Sequence, residues 1–173
     1  MRLYSSGVRR LPYLLAVLVL AACGSSKGAA PPATTAAPPP PSSAVPGSTG
    51  LYAGGNWAVV LAGGRATAVH LANGSWHPDT SGRVKIAVLG PKPGSTAPSL
   101  PQVAAELRAP KPLVESGLWV DGKELVVKGG GTPTHATIYG APAADLAPGR
   151  HVAVAYGRTD STGSARAWSF HVP

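Results

Sequence analysis

Only one of the 173 residues is a cysteine, Cys23, near the start of the chain. A single thiol excludes an internal disulfide, so any folded part must be held by core packing, even in a compartment that permits disulfides. It also excludes a cysteine-based structural zinc site. Acidic residues are scarce, seven against 15 basic ones, and no two are spaced like a catalytic carboxylate pair. No G-x-S-x-G elbow occurs. Gly129-Gly130-Gly131-Thr132 lacks the Lys-Ser/Thr that a phosphate loop needs and reads as a flexible hairpin connection. The expectation is a chain that is not an enzyme and needs no cofactor. Basic residues are scattered singly, which excludes a nucleic-acid footprint. With 22 glycines and 19 prolines, nearly every window of helical length is interrupted.

What is present begins with an export signal. Arg2, Arg9 and Arg10 precede the apolar run Leu14-Leu15-Ala16-Val17-Leu18-Val19-Leu20, which leads into Ala21-Ala22-Cys23-Gly24. A positive start, a short apolar run and small residues before a cut make a secretory signal. The run is shorter than the roughly 20 apolar residues that span a bilayer. Leu20-Ala21-Ala22-Cys23 resembles the lipobox of bacterial lipoproteins. The resemblance implies diacylglycerol on the Cys23 thiol, removal of residues 1–22, and a lipid-anchored protein on the extracytoplasmic face of the cell membrane. One acyl chain holds weakly and two or more hold stably, which fits such an anchor. A plain secretory peptide, or a buried structural cysteine, would leave the place of the sole cysteine without a reason. Arg9-Arg10 is followed by Leu11-Pro12-Tyr13, a poor twin-arginine context, so general secretion is expected. Without the three early arginines, 12 basic residues stand against seven acidic ones, a net charge of +5. That suits a soluble basic surface with mild attraction to anionic headgroups or wall polymers.

Residues 23–50 form the next region, with Lys27 as their one charge. From Pro31 to Gly50 the composition is Pro, Ala, Thr, Ser and Gly with little apolar bulk. Such a segment cannot bury enough surface to offset its chain entropy and is expected to be disordered. Proline favours extended polyproline II, which makes a semi-rigid stalk. At about 3.1 Å per residue it reaches roughly 80 Å.

The remainder reads as short strands. Residues 51–82 are expected to form a hairpin or meander: Trp57–Leu61, a Gly63-Gly64 turn, Ala66–Leu71, then the tight-turn pair Asn73-Gly74. Residues 83–173 continue with Arg83–Leu89 and a stop at Pro91-Lys92-Pro93-Gly94. Gln102–Arg108 is the most helix-like stretch. Leu118–Val120 and Lys123–Val127 flank Asp121-Gly122, which supplies the positive φ of a type I′ turn. His135–Tyr139, Val152–Tyr156 and Trp168–Val172 complete the set.

From Val84 to Val172 these features resemble a bacterial immunoglobulin-like or fibronectin-III-like domain. The matching residues are Pro91-Lys92-Pro93-Gly94, the Val120-Asp121-Gly122 hairpin, Tyr139, Leu146-x-Pro148-Gly149-x-His151, and the closing Trp168-x-Phe170-x-Val172. The resemblance implies an all-β, immunoglobulin-like β-sandwich with Greek-key connections, here preceded by a signal peptide and a Pro-rich stalk. One departure stands out. Large apolar residues are usual at even steps after His151, where this chain has Ala153 and Ala155; Val152 and Val154 fall on the other face. Either the strand is bulged, or its outer face is covered, with residues 51–82 the available cover.

Candidate sites are few. Five histidines invite a metal, but none shows helical zinc spacing. His151 and His171 fall on strands that neighbour one another in this fold, so they are the candidate metal pair. The competing role for His151 is a corner in which its ring hydrogen-bonds to backbone, as a tyrosine corner does. Trp57 and Trp76, with Tyr52 and Asn56 nearby, are candidate ligand-binding aromatics that stack on sugars or pack on a partner; Trp119 and Trp168 read as core. The function expected is a non-enzymatic binding or scaffolding module, with an envelope protein or cell-wall polymer as partner. The alternatives are a metal- or small-ligand-binding lipoprotein and a carbohydrate-binding module.

Overall fold

The computed structural model describes residues 49–173. The expected signal peptide of residues 1–22, Cys23 and the expected linker as far as residue 48 lie outside the described residues, while Thr49 and Gly50, the last two residues of that expected linker, belong to a strand. Among the described residues there are twelve strands and no helix. The first four, β1 (Thr49–Gly54), β2 (Trp57–Ala62), β3 (Arg65–Ala72) and β4 (Ser75–Pro78), form an antiparallel meander in chain order. Asn73 and Gly74 join β3 to β4 with φ of 51° and 75°. Positive φ at both positions is the type I′ geometry that matches strand twist.

The other eight strands are β5 (Lys85–Gly90), β6 (Val103–Arg108), β7 (Glu115–Val120), β8 (Lys123–Glu124), β9 (Lys128–Thr132), β10 (His135–Gly140), β11 (Gly149–Arg158) and β12 (Gly163–Val172). They make two four-stranded sheets, ordered β5-β6-β10-β9 and β12-β11-β7-β8. With strands lettered along the chain, these orders are A-B-E-D and G-F-C-C′, the immunoglobulin-like arrangement. The turn between β7 and β8 holds Asp121 at φ 49° and Gly122 at φ 80°, the I′ geometry that the Asp-Gly pair favours.

Three segments depart from the sequence reading. Of Lys123–Val127 only Lys123–Glu124 is strand, β8, paired with Trp119 and Val120. The helix-like Gln102–Arg108 is strand β6, with Val103, Ala105 and Leu107 fully buried and Ala104 and Glu106 on the other face. Its period of two outweighs the helix propensity of Ala, Glu and Leu, because one face must fill a sandwich core. Gly129-Gly130-Gly131 is not a flexible connection. It forms the body of β9, paired residue by residue with β10.

The two sheets enclose one core. Val103, Ala105, Leu107 and Ile138 face Leu118, Val120, Ala153, Ala155, Trp168, Phe170 and Val172. A second core lies on the far side of the β11 sheet. There Leu51, Trp57, Val59 and Ala68 of the meander pack on Trp119, Val154 and Tyr156. The β11 sheet is therefore the middle layer of three. A strand buried on both faces loses its polar alternation. That explains Val152-Ala-Val-Ala-Tyr156: the alanines point into the sandwich, while Val154 and Tyr156 point at the meander. The β11–β12 ladder runs through ten consecutive pairs without a bulge, so covering, not bulging, is the reason for the departure.

Close approach fixes the second core. Trp119 folds back over Gly117, where a Cβ would run into the indole ring. Trp57 presses on Gly163, where a Cβ would stand 2.9 Å from Trp57 Cζ3. A polar tie reinforces the contact: the backbone N–H groups of Gly163 and Ser81 donate to Asp79 at 2.7 and 2.8 Å. Burial alone would raise the Asp79 carboxyl, but the hydrogen bonds from Ser81 and Gly163 outweigh it, and its pKa lies below the ordinary 3.8. Removal of this carboxylate in Asp79→Ala is expected to cost about 1–2 kcal/mol at neutral pH. A depressed folded pKa means the contribution is present above the unfolded value and lost as pH falls through the folded one. Urea unfolding at pH 7 and pH 2 checks it: the gap between wild type and variant should be smaller at the lower pH.

Candidate functional site

The five acidic residues with shifted or paired carboxylates are all committed to the fold. Asp79 ties the meander down. Glu106 accepts from Arg108 at 2.6 Å and from His135 on the outer face of the β5 sheet; Arg108 first, then His135, holds its carboxyl below the usual range. Glu115 accepts from Arg158 Nε at 2.5 Å beneath Gly54. Asp160 faces Lys111 at 3.4 Å, and Asp121 faces His151. These carboxylates hold turns and edges together.

His151 stands at the start of β11, buried, with both ring nitrogens taken. Nδ1 lies 2.6 Å from Asp121 Oδ2 and Nε2 lies 2.8 Å from the Ala147 carbonyl. The ring reaches backbone four residues upstream, in the manner of the tyrosine corner. His171 is exposed on the opposite face of the sheet, because it pairs across with Arg150 while His151 pairs with Phe170. The structure therefore does not bring the two histidines together. Among the described residues no group of three His, Cys, Asp or Glu side chains gathers.

Trp57 and Trp76 are also separated. Trp57 lies on the buried face of β2, 8% exposed, against the β11 sheet. Trp76 is partly exposed on β4 opposite Leu71, in the adjacent register row and so on the other face. In the row of Trp57 stand His70 and His77 instead: Trp57 pairs with His70, and His70 with His77. Chain spacing does not single out these histidines. The signal lies in the turns, since a two-residue loop at Asn73-Gly74 sets Ala72 opposite Ser75 and hence His70 opposite His77.

The sandwich edges differ in how open they are. Three of the four edge strands are short or engaged. Gly94–Ala97 runs beside β12, with Ala97 N–H donating to the His171 carbonyl at 2.9 Å. On β5 the Ile86 carbonyl accepts from Arg166 at 2.8 Å, and β8 is two residues long. Strand β9 is fully exposed and lies at the sheet's edge. Its inward positions, Gly129 and Gly131, face the row of Ile138 and Ala136 but bring no side chain. Beneath them opens a groove of about 580 Å³ lined by Leu113, Val114, Val127, Ala136 and Ile138 among others. Glycine is enforced there: a Cβ would meet the Thr137 carbonyl at Gly129 and the His135 carbonyl at Gly131, well inside contact distance.

No family model matches the chain, and no curated protein matches it. Among solved structures it is similar to titin Ig tandem domains, with 6% identity and a TM-score of 0.35. The alignment covers 64% of this chain and 62% of that one. At that level the likeness adds nothing to the strand order, on which the immunoglobulin-like assignment rests.

Proposed function

We propose that the chain is a lipoprotein held on the extracytoplasmic face of the membrane by lipid on Cys23, with a non-enzymatic binding module at the end of a Pro-rich stalk. The support for the anchor is the signal sequence and the placement of the sole cysteine. The support for binding is one observation: an exposed glycine edge strand, β9, above an apolar groove. An edge strand offers a row of main-chain donors and acceptors, and pockets beside it select side chains of an added strand. The module accepts an extended apolar segment of an envelope protein along β9.

The test is a crosslinking pull-down from intact cells with wild type, Cys23→Ser and Val114→Asp. Val114 lines the groove and is 55% exposed, so Val114→Asp should stay within about 0.5 kcal/mol of wild-type stability. Capture is expected to be lost in Val114→Asp, and membrane retention and lipid labelling in Cys23→Ser. Undiminished capture by Val114→Asp would remove the groove from the account, and continued labelling of Cys23→Ser would remove the anchor.

A further inference from the structure

We infer that His70 and His77 form a two-histidine site for a late divalent transition-metal ion, Cu2+ above all, on the meander. The two residues are directly opposed on β3 and β4. Opposed residues share a face with Cβ atoms about 4.5–5.5 Å apart. Their ring centroids lie 5.8 Å apart at 35°. Two imidazoles that share an ion at about 2.0–2.1 Å per nitrogen place their centroids roughly 4.5–6.4 Å apart, according to the angle at the metal. The observed 5.8 Å lies within that range.

A second observation points the same way. His70 Nδ1 is shut off from solvent and has no hydrogen-bond partner. A buried polar atom without a partner costs free energy and calls for an explanation. The imidazole is fixed in place by Trp57, whose ring lies 5.2 Å away on its other side. His77 is exposed, so an ion can enter and keep water ligands. Asp79 and Arg83 border the same depression as His70 and offset one another in charge, so a cation is not repelled.

With only two protein ligands, water completes the coordination, and selectivity follows the intrinsic order of these ions. Imidazole suits Cu2+, Zn2+ and Ni2+, and Cu2+ binds most tightly among first-row divalent ions. This site is distinct from the β9 groove and stands or falls without it.

The experiment is a titration of CuCl2 and ZnCl2 into the full chain in detergent, in a Cys23→Ser background that removes the sole thiol. Isothermal calorimetry reads the stoichiometry, and imidazole NMR reads which rings broaden with Cu2+. One Cu2+ per chain is expected, with His70 and His77 broadened first and Zn2+ bound more weakly. Because His77 is exposed, His77→Ala should fold normally. It should weaken Cu2+ binding at least about tenfold, since even outer partners of a metal site cost that much. His171→Ala should leave the affinity unchanged. First broadening at His135 or His171, equal affinity in His77→Ala, or no binding at micromolar Cu2+ would each overturn the site.

Discussion

Replacing Trp57 by alanine is expected to lower the unfolding free energy by about 3–5 kcal/mol, the range for large aromatic truncations in a core. The indole is 8% exposed and belongs to the core between the meander and the β11 sheet. It meets Gly163 so closely that no side chain fits there. Truncation would leave Val154, Tyr156 and Trp119 facing a cavity, and the backbone of β12 cannot collapse into it while Asp79 pins Gly163. Trp57→Phe should cost less, because part of the volume is kept. Urea unfolding followed by far-ultraviolet circular dichroism checks both. A solvent-facing stacking platform makes the opposite prediction, a change within about 0.5 kcal/mol. That outcome would show that Trp57 does not hold the layers together.

The second core also explains what could and could not be read in advance. The turn dipeptides Asn73-Gly74 and Asp121-Gly122 carry their geometry in their own chemistry, since both need positive φ at adjacent positions. The apolar run through Val152–Tyr156 signals burial on both faces, because a one-sided strand would show polar alternation. By contrast, β6 reads ambiguously: Ala, Glu and Leu favour helix, and only a facing sheet makes the two-residue period decisive. Gly129–Gly131 has no side chains and hence no pattern at all; its strand character comes wholly from pairing with β10.

The candidate residues divide along the same line. The corner role of His151 follows from local sequence, since its backbone acceptor is Ala147, four residues away. Whether His171 joins it depends on cross-strand register, which sets Phe170, not His171, opposite His151. Face assignment likewise separates Trp57 from Trp76. Both lie in aromatic-containing strands, and only the meander register puts one inside and one outside. The β9 groove has no local signature either, because it consists of side chains that are missing.

The corner yields the other large expected effect. Both nitrogens of His151 face acceptors, the Asp121 carboxylate and the Ala147 carbonyl. A neutral ring has one N–H and would turn a lone pair against one of those oxygens; the imidazolium donates to both. The hydrogen bond to Asp121 raises the His151 pKa above 6.5; burial opposes it, and the Ala147 contact and the Asp121 charge add to it. A raised folded pKa gives stability that is fully present below the unfolded value and lost as pH rises through the folded one. His151→Ala is therefore expected to cost about 2–3 kcal/mol at pH 5.5, the range for hydrogen bonds to a charged group, and distinctly less at pH 9. Asp121→Asn separates charge from shape, because asparagine tolerates the left-handed φ of 49° at that position. In that variant the C2 proton of His151 should titrate closer to 6.5 than in wild type, by NMR. A wild-type ring that titrates at or below 6.5, or a His151→Ala cost that does not change with pH, would show that the corner is held by neutral contacts alone.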